Sequence, residues 1–128
     1  MPFKGCRILL IEDETSIADM YASMLRHFGH EVRIERDGAA GLAAAVEEVF
    51  DLVLLDIRLP QMDGMDVLVA LAHDERTRER PVVMLTNYDD PDLRRRARDL
   101  GARDYLVKSQ VMPKQLAERV RVWATTCG

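Results

Sequence analysis

The run Leu52-Val-Leu-Leu-Asp56-Ile-Arg-Leu-Pro-Gln-Met-Asp-Gly64 constrains the fold more than any other stretch. Leu52 to Leu55 are apolar with no alternation, the pattern of a strand covered on both faces. Strands of that kind belong to parallel sheets sandwiched between helices. The run ends on Asp56, where the strand leaves the core. A carboxylate there is costly to desolvate unless a cation or hydrogen-bond donors meet it. The rest of the chain has to supply those groups.

Four further strand-like segments and five helix-like segments alternate along the chain. Cys6 to Ile11 is a buried strand that runs into Glu12-Asp13-Glu14. A helix follows, with Ile17, Met20, Tyr21, Met24, Leu25 and Phe28 on one stripe. Thr15 or Ser16 can cap its start and Gly29 can end it. Glu31 to Glu35 alternates, as a half-exposed strand at a sheet edge does. Asp37-Gly38 turns the chain into an Ala-rich helix with Leu42, Ala45, Val46 and Val49 inward. After the Asp56 strand, Asp63 caps a helix from Gly64 to about His73, with Leu68, Leu71 and Ala72 inward. Pro81 to Thr86 is the fourth strand, starting on a proline where no ladder donor is needed. Asp90-Pro91 is a cap and first-turn pair for a helix to Leu100, stopped by Gly101. Arg103 to Val107 is a short fifth strand. Pro113 opens the last helix, with Leu116, Val120, Trp123 and Ala124 inward.

This alternation predicts an α/β fold: a doubly wound, flavodoxin-like sheet of five parallel strands in the order 2-1-3-4-5, with helices on both faces. The 128 residues fit one domain, 1–128, and no internal repeat or linker divides them. A charged fraction of 31% beside 48% hydrophobic residues argues against disorder. The net charge of −4 argues against direct nucleic-acid binding, which goes with a basic excess. No apolar run approaches the ~20 residues of a membrane span, and no signal peptide precedes the first strand, so the expected location is the cytoplasm, away from the membrane. Cys6 and Cys127 lie at opposite ends without metal-type spacing and are expected as two free thiols. His27, His30 and His73 form no ligand pattern.

In parallel sheets of this kind ligands sit beyond the carboxyl ends of the strands. Glu12 and Asp13 follow strand one, Asp56 ends strand three, Thr86 ends strand four and Lys108 follows strand five. In the order 2-1-3-4-5 these groups converge. Three carboxylates so close either raise a pKa or bind a cation. Oxygen-only ligands favour Mg²⁺ or Mn²⁺ over zinc. A metal, an amine and a hydroxyl around a carboxylate suit phosphoryl transfer, with the carboxylate itself as nucleophile.

These residues at these spacings resemble the response-regulator receiver domain of two-component signalling, of the chemotaxis-regulator type. The resemblance runs from about Cys6 to Trp123. It rests on Glu12-Asp13, on Asp56 in its Leu-Leu-Asp-Ile-Arg-Leu-Pro-Gln-Met-Asp-Gly context, on Thr86 after Val-Val-Met-Leu, and on Tyr105-Leu-Val-Lys108. It implies that Asp56 accepts phosphate from a histidine kinase or phosphotransfer protein. It implies that Asp13 and Asp56 ligate the metal directly, Glu12 through water and Arg58 through its backbone carbonyl. Lys108 and Thr86 are then the partners of the phosphoryl oxygens. Thr86 and Tyr105 are the switch pair, with Tyr105 turning inward as Thr86 moves. The surface of helix four, strand five and helix five is where a downstream protein binds. A receiver of this kind is a signalling module rather than an enzyme on external substrates, although it assists phosphorylation and dephosphorylation of its own aspartate.

The sequence departs from the family pattern in places. Ser109 stands where a proline usually follows the lysine, and a cis bond before a non-proline costs about 3 kcal/mol, so the loop to Met112 has its own way of holding Lys108. Asn87 replaces a commonly small residue. Together with Arg58 it borders the expected phosphoryl site, and both are candidates for tuning the phosphate lifetime. Arg94-Arg-Arg96 with Arg98 reads first as a solvated helix face offset by Asp89, Asp90, Asp92 and Asp99. Nothing follows the last helix except Thr125-Thr-Cys-Gly128, which fits either a stand-alone regulator or a piece of a longer one.

The alternative function is a small Mg²⁺-dependent phosphohydrolase with an Asp nucleophile. Such enzymes typically carry an acid-base Asp two residues later, where this chain has Arg58. A flavin-binding electron carrier on a similar sheet needs a Ser/Thr/Gly-rich phosphate cradle after strand one, and this loop is acidic.

Overall fold

The computed structural model describes residues 5–124 and Cys127. Among them strands and helices alternate: β1 (Arg7–Ile11), α1 (Thr15–His27), β2 (Glu31–Glu35), α2 (Gly38–Glu47), β3 (Leu52–Leu55), α3 (Gly64–His73), β4 (Val82–Thr86), α4 (Pro91–Asp99), β5 (Asp104–Val107) and α5 (Pro113–Trp123). A short 3₁₀ turn, Lys108–Gln110, links β5 to α5. The strands form one parallel sheet in the order β2-β1-β3-β4-β5. This is the predicted doubly wound architecture.

The absence of alternation in the central strands has a direct cause. Along β1, Ile8 and Leu10 face α1 and α5, while Leu9 and Ile11 face α2 and α3, so each of these four positions meets a helix. All four residues of β3 and all five of β4 are buried. β2, at the sheet edge, is exposed or half-buried throughout.

Several local expectations follow the backbone closely. The Asp37 carboxylate accepts from Ala40 N, that of Asp63 from Met65 N, and that of Asp90 from Asp92 N and Leu93 N. Each cap satisfies amides that a first helical turn leaves unpaired. Gly29 and Gly101 carry φ of 92° and 95° just past α1 and α4, which suits the residue without a Cβ.

Other expectations are corrected. On α1 the expected stripe holds for Tyr21 and Leu25, which are buried, and for Ile17, Met24 and Phe28, which pack part-buried against the core; Met20 is instead 45% exposed, and Ala18 and Ala22 complete the buried face. The residue before α1 is Glu14, with no side-chain cap; Thr15 and Ser16 lie within the helix. On α2 Ala45 is buried and Leu42 packs part-buried against the core as expected, together with Gly38, Gly41 and Ala44, but Val49 lies beyond the helix end, exposed. A Cβ on Gly41 would run into the Ile11 side chain.

The two cysteines are not free thiols: Cys6 and Cys127 are joined in a disulfide, with Cα atoms 5.3 Å apart. The parallel sheet explains it, since the start of β1 and the end of α5 lie on the same side, opposite the strand ends. No helix among the described residues is long and apolar enough to cross a membrane.

Candidate functional site

The carboxyl ends of β1, β3, β4 and β5 bring the singled-out residues together. The strand ladder sets this directly, pairing Ile11 with Leu55 and Thr86 with Val107. The next residues along β1, β3 and β5 are Glu12, Asp56 and Lys108. Glu12, Asp56 and Thr86 are buried, at 1%, 5% and 0% exposure. Asp13 is exposed at the rim. One carboxylate oxygen from each of Glu12, Asp13 and Asp56 lies within 4.8 Å of the other two.

Backbone amides fix the orientation of these groups. Glu12 N donates to the Glu35 carbonyl and Asp56 N to the Ile11 carbonyl, each at 3.0 Å. Asp56 Oδ1 accepts from Ile57 N at 2.7 Å, while Oδ2 accepts from Lys108 Nζ at 3.1 Å. Lys108 Nζ also donates to Glu12 Oε1, and the other Glu12 oxygen accepts from Glu14 N. The start of α3 seats against this loop: Gly64 N donates to the Ile57 carbonyl at 2.7 Å. A Cβ at Gly64 would collide with the Asp56 carbonyl and the Ile57 Cα, so the close approach requires glycine.

Burial pushes the Glu12 carboxyl up to about 7; its bond to Lys108 opposes the rise and the Asp56 charge adds to it. Burial alone would lower the Lys108 ammonium. Its bond to Glu12 and the two carboxylate charges outweigh that and hold it above its ordinary value. The site is therefore an excess of acid balanced by one amine. A donor set of oxygens alone, short of positive charge, fits a hard divalent cation. The Lys108 loop reaches Asp56 with Ser109 in a 3₁₀ turn, and no peptide bond among the described residues is cis.

A second cluster lies beside the first. Thr86 Oγ1 accepts from Tyr88 N at 3.2 Å. The Tyr105 ring is buried, and its hydroxyl donates to the Tyr88 carbonyl at 2.9 Å. The Arg94 guanidinium lies 4.7 Å from the Tyr105 ring centroid and donates to the Tyr105 carbonyl at 3.0 Å. Arg94 thus fastens α4 to the edge strand and is not simply a solvated charge, whereas Arg95 pairs with Asp92 on the surface. The Arg58 guanidinium sits 4.7 Å from the Tyr88 ring centroid, and Asn87 is exposed between that ring and Thr86 in the chain.

Tyr88 was not singled out from the sequence. Its one available mark is its position, an aromatic residue two places after the strand-end Thr86. His30, assigned no function, is buried and its Nδ1 accepts from Cys6 N at 3.0 Å.

The acidic pocket and its lysine lie beyond the carboxyl ends of the strands, where doubly wound parallel sheets hold their ligands. Over residues 8–121 the chain matches the model of the response regulator receiver domain, and it belongs to that family. It is 41% identical over 115 residues to the DNA-binding dual master transcriptional regulator RpaA of Synechocystis, covering 90% of this chain and 47% of that protein. The chain therefore spans about half the length of such relatives. Among solved structures it is similar to the receiver domain of the sensor histidine kinase PA1611 from Pseudomonas aeruginosa, which has a magnesium ion coordinated in its active site cleft (29% identity, TM-score 0.85, 94% and 98% of the two chains). It is also similar to the manganese-bound form of response regulator Rcp1 (28% identity, TM-score 0.82, 96% and 97%). The chain is a receiver domain of the two-component response-regulator kind, and its relatives are signalling proteins.

Proposed function

We propose that Asp56 is the phosphoacceptor of this receiver domain. The observation that carries the reading is the Lys108 ammonium 3.1 Å from Asp56 Oδ2, beside clustered Glu12, Asp13 and Asp56 carboxylates. A carboxylate oxygen of Asp56 attacks the phosphorus of a phosphohistidine on a histidine kinase or phosphotransfer protein. The new O–P bond forms as the P–N bond breaks, and the imidazole leaves with a proton. Lys108 is placed to neutralise charge on the transferred group, and Thr86 offers a hydroxyl to one of its oxygens.

Asp13 and Asp56 would hold Mg²⁺ or Mn²⁺ directly, Glu12 through water, and Arg58 through its backbone carbonyl. Bound there, the ion supplies positive charge that offsets the carboxylates and the incoming phosphoryl oxygens. The same residues act in reverse when water removes the phosphate, so the domain assists turnover at its own Asp56.

Phosphorylation adds roughly one to two negative charges at one point. Lys108 and Thr86 respond to them, and Thr86 is linked through Tyr88 to Tyr105. The readout is the α4-β5-α5 surface, where a groove of about 640 Å³ is lined by Arg94, Tyr105, Val107, Gln110, Arg119 and Val122. A downstream protein binds there, and the expected place of action is the cytoplasm. Arg58 and Asn87, with Tyr88 beside them, are the residues proposed to tune the phosphate lifetime.

The test is incubation with Mg²⁺ and a small acyl-phosphate donor, followed by intact mass. One phosphate equivalent on the parent, none on Asp56→Asn and none in EDTA is the expected result. Uptake by Asp56→Asn equal to that of the parent overturns the reading.

A further inference from the structure

The Cys6–Cys127 bond lies at the side of the sheet away from the acidic pocket, and nothing in phosphoryl chemistry requires it. We propose that these two cysteines are a reversible dithiol–disulfide clasp that sets how firmly the end of α5 is held to β1. α5 forms one wall of the α4-β5-α5 surface, so the clasp acts on the same surface from the opposite end.

Three observations converge. The first is reach, since a Cα separation of 5.3 Å falls within the range a disulfide spans without moving the backbone. The second is unequal access. Cys6 is fully buried, while Cys127 is half-buried and is the sulfur a small reagent can meet first. That asymmetry separates an attacking cysteine from a resolving one. The third is setting. Cys6 shares a core cluster with Leu116, Val120, Trp123 and Ala124 of the α5 inner face and end, and Cys127 packs against that cluster. The same end is tied to β5, because Trp123 Nε1 donates to Asp104 Oδ2 at 3.2 Å and Arg103 to the Trp123 carbonyl at 3.2 Å. A change at the clasp is thus transmitted to the start of β5 through existing contacts.

The Asp51 carboxylate is within 4.8 Å of both sulfurs, and its Oδ2 accepts from Arg7 N at 2.8 Å. A carboxylate so close to both sulfurs opposes the negative charge that thiol–disulfide exchange develops on them, and so slows the exchange. The exchange balances as two displacements. The Cys127 thiolate attacks one sulfur of a low-molecular-weight disulfide such as oxidised glutathione and releases one thiolate. The Cys6 thiolate then attacks the Cys127 sulfur and releases the second. The protein loses two protons and two electrons, and the reagent becomes two thiols.

The experiment equilibrates the full chain in graded mixtures of reduced and oxidised glutathione, traps free thiols with an alkylating reagent and reads intact mass, cross-linked peptides and amide hydrogen exchange. Both thiols should vanish together with a Cys6–Cys127 peptide and no lasting mixed disulfide, and excess dithiothreitol should restore them. Amides of residues 116–124 should exchange several-fold faster in the reduced form. Cys127→Ser should exchange like the reduced parent at every poise, and Cys6→Ser should instead accumulate glutathione on Cys127. Asp51→Asn should speed oxidation several-fold, an effect an inert staple would not give. Thiols that stay alkylatable in oxidised glutathione overturn the proposal. So does a disulfide that the reductant cannot open in the folded protein, identical α5 exchange in both forms, or a reduced pair that retains one equivalent of added zinc and resists oxidation.

Discussion

The Tyr105 hydroxyl donates to the Tyr88 carbonyl at 2.9 Å, which ties strand β5 to the loop that leaves Thr86. The Arg94 guanidinium covers the same ring from α4 and binds the Tyr105 carbonyl. α4 buries only Ala97 fully and packs Leu93 part-buried against the core, so the Arg94 contact adds to a thin apolar attachment. Elements with few buried contacts open first.

Arg94→Ala should therefore loosen α4 without unfolding the sheet. The Arg94 side chain is 45% exposed, which discounts the loss to about 0.5–1.5 kcal/mol. Native-state hydrogen exchange should show faster α4 amides and unchanged β1 and β3. Unchanged α4 exchange would return Arg94 to the role of a solvated charge.

Lys108 has a side chain only 7% exposed and is shared by two carboxylates. Removing it leaves Glu12, Asp13 and Asp56 facing one another. Because Glu12 already titrates near 7, protonation softens the penalty, and Lys108→Met should cost about 1–3 kcal/mol in metal-free urea unfolding at pH 7.5. Phosphate uptake should fall by about 100-fold or more. Uptake at the parent rate would remove Lys108 from the reacting group.

The order of the sheet, the Asp63 and Asp90 caps and the meeting of Glu12, Asp56 and Lys108 were legible in the sequence, because polar residues at the ends of buried strands fall on one edge of a parallel sheet. The exposure of Met20 and Val49, and the small residues that fill the buried faces of α1 and α2, were not. At Gly41 the fit against Ile11 leaves no room for a Cβ. Nor were the Cys6–Cys127 pair and the Arg58–Tyr88 stack legible. Each joins positions by tertiary proximity, with no spacing rule to announce it.

The Arg58–Tyr88 stack joins the loop that follows Asp56 to the loop that follows Thr86, and the proposed lifetime role requires an attacking water to pass it. Tyr88→Ala and Arg58→Ala should each change the rate of phosphate loss by a few-fold, and by nearly the same factor, since each removes the same stack. Asn87→Ala should change it independently. Decay followed by intact mass checks this; three rates equal to the parent's would end the lifetime role.

Against Glu12, whose carboxyl burial pushes up to about 7 so that it adds stability as pH falls, His30 sets an opposing loss on the acid side. Burial and the Arg121 charge lower its folded value, and Glu118 from α5 lines the same cavity. Above about 6.5 the imidazole is neutral in both states and its contribution to stability is intact. As pH falls through that value the unfolded chain takes up a proton the folded chain resists, so stability is lost on the acid side. His30→Asn, which retains an acceptor for Cys6 N, should leave the urea midpoint at pH 5 higher, relative to pH 7, than it is in the parent. An equal difference in parent and variant would assign the loss elsewhere.

The identity of the phosphorylated atom is read most directly by reductive trapping. Borohydride converts an aspartyl phosphate to homoserine, and peptide sequencing places the change. In chain charged by a small phosphodonor with Mg²⁺, homoserine should appear at position 56 and nowhere else. Homoserine at Asp13 or another carboxylate, or a phosphate that borohydride leaves untouched, would contradict the account.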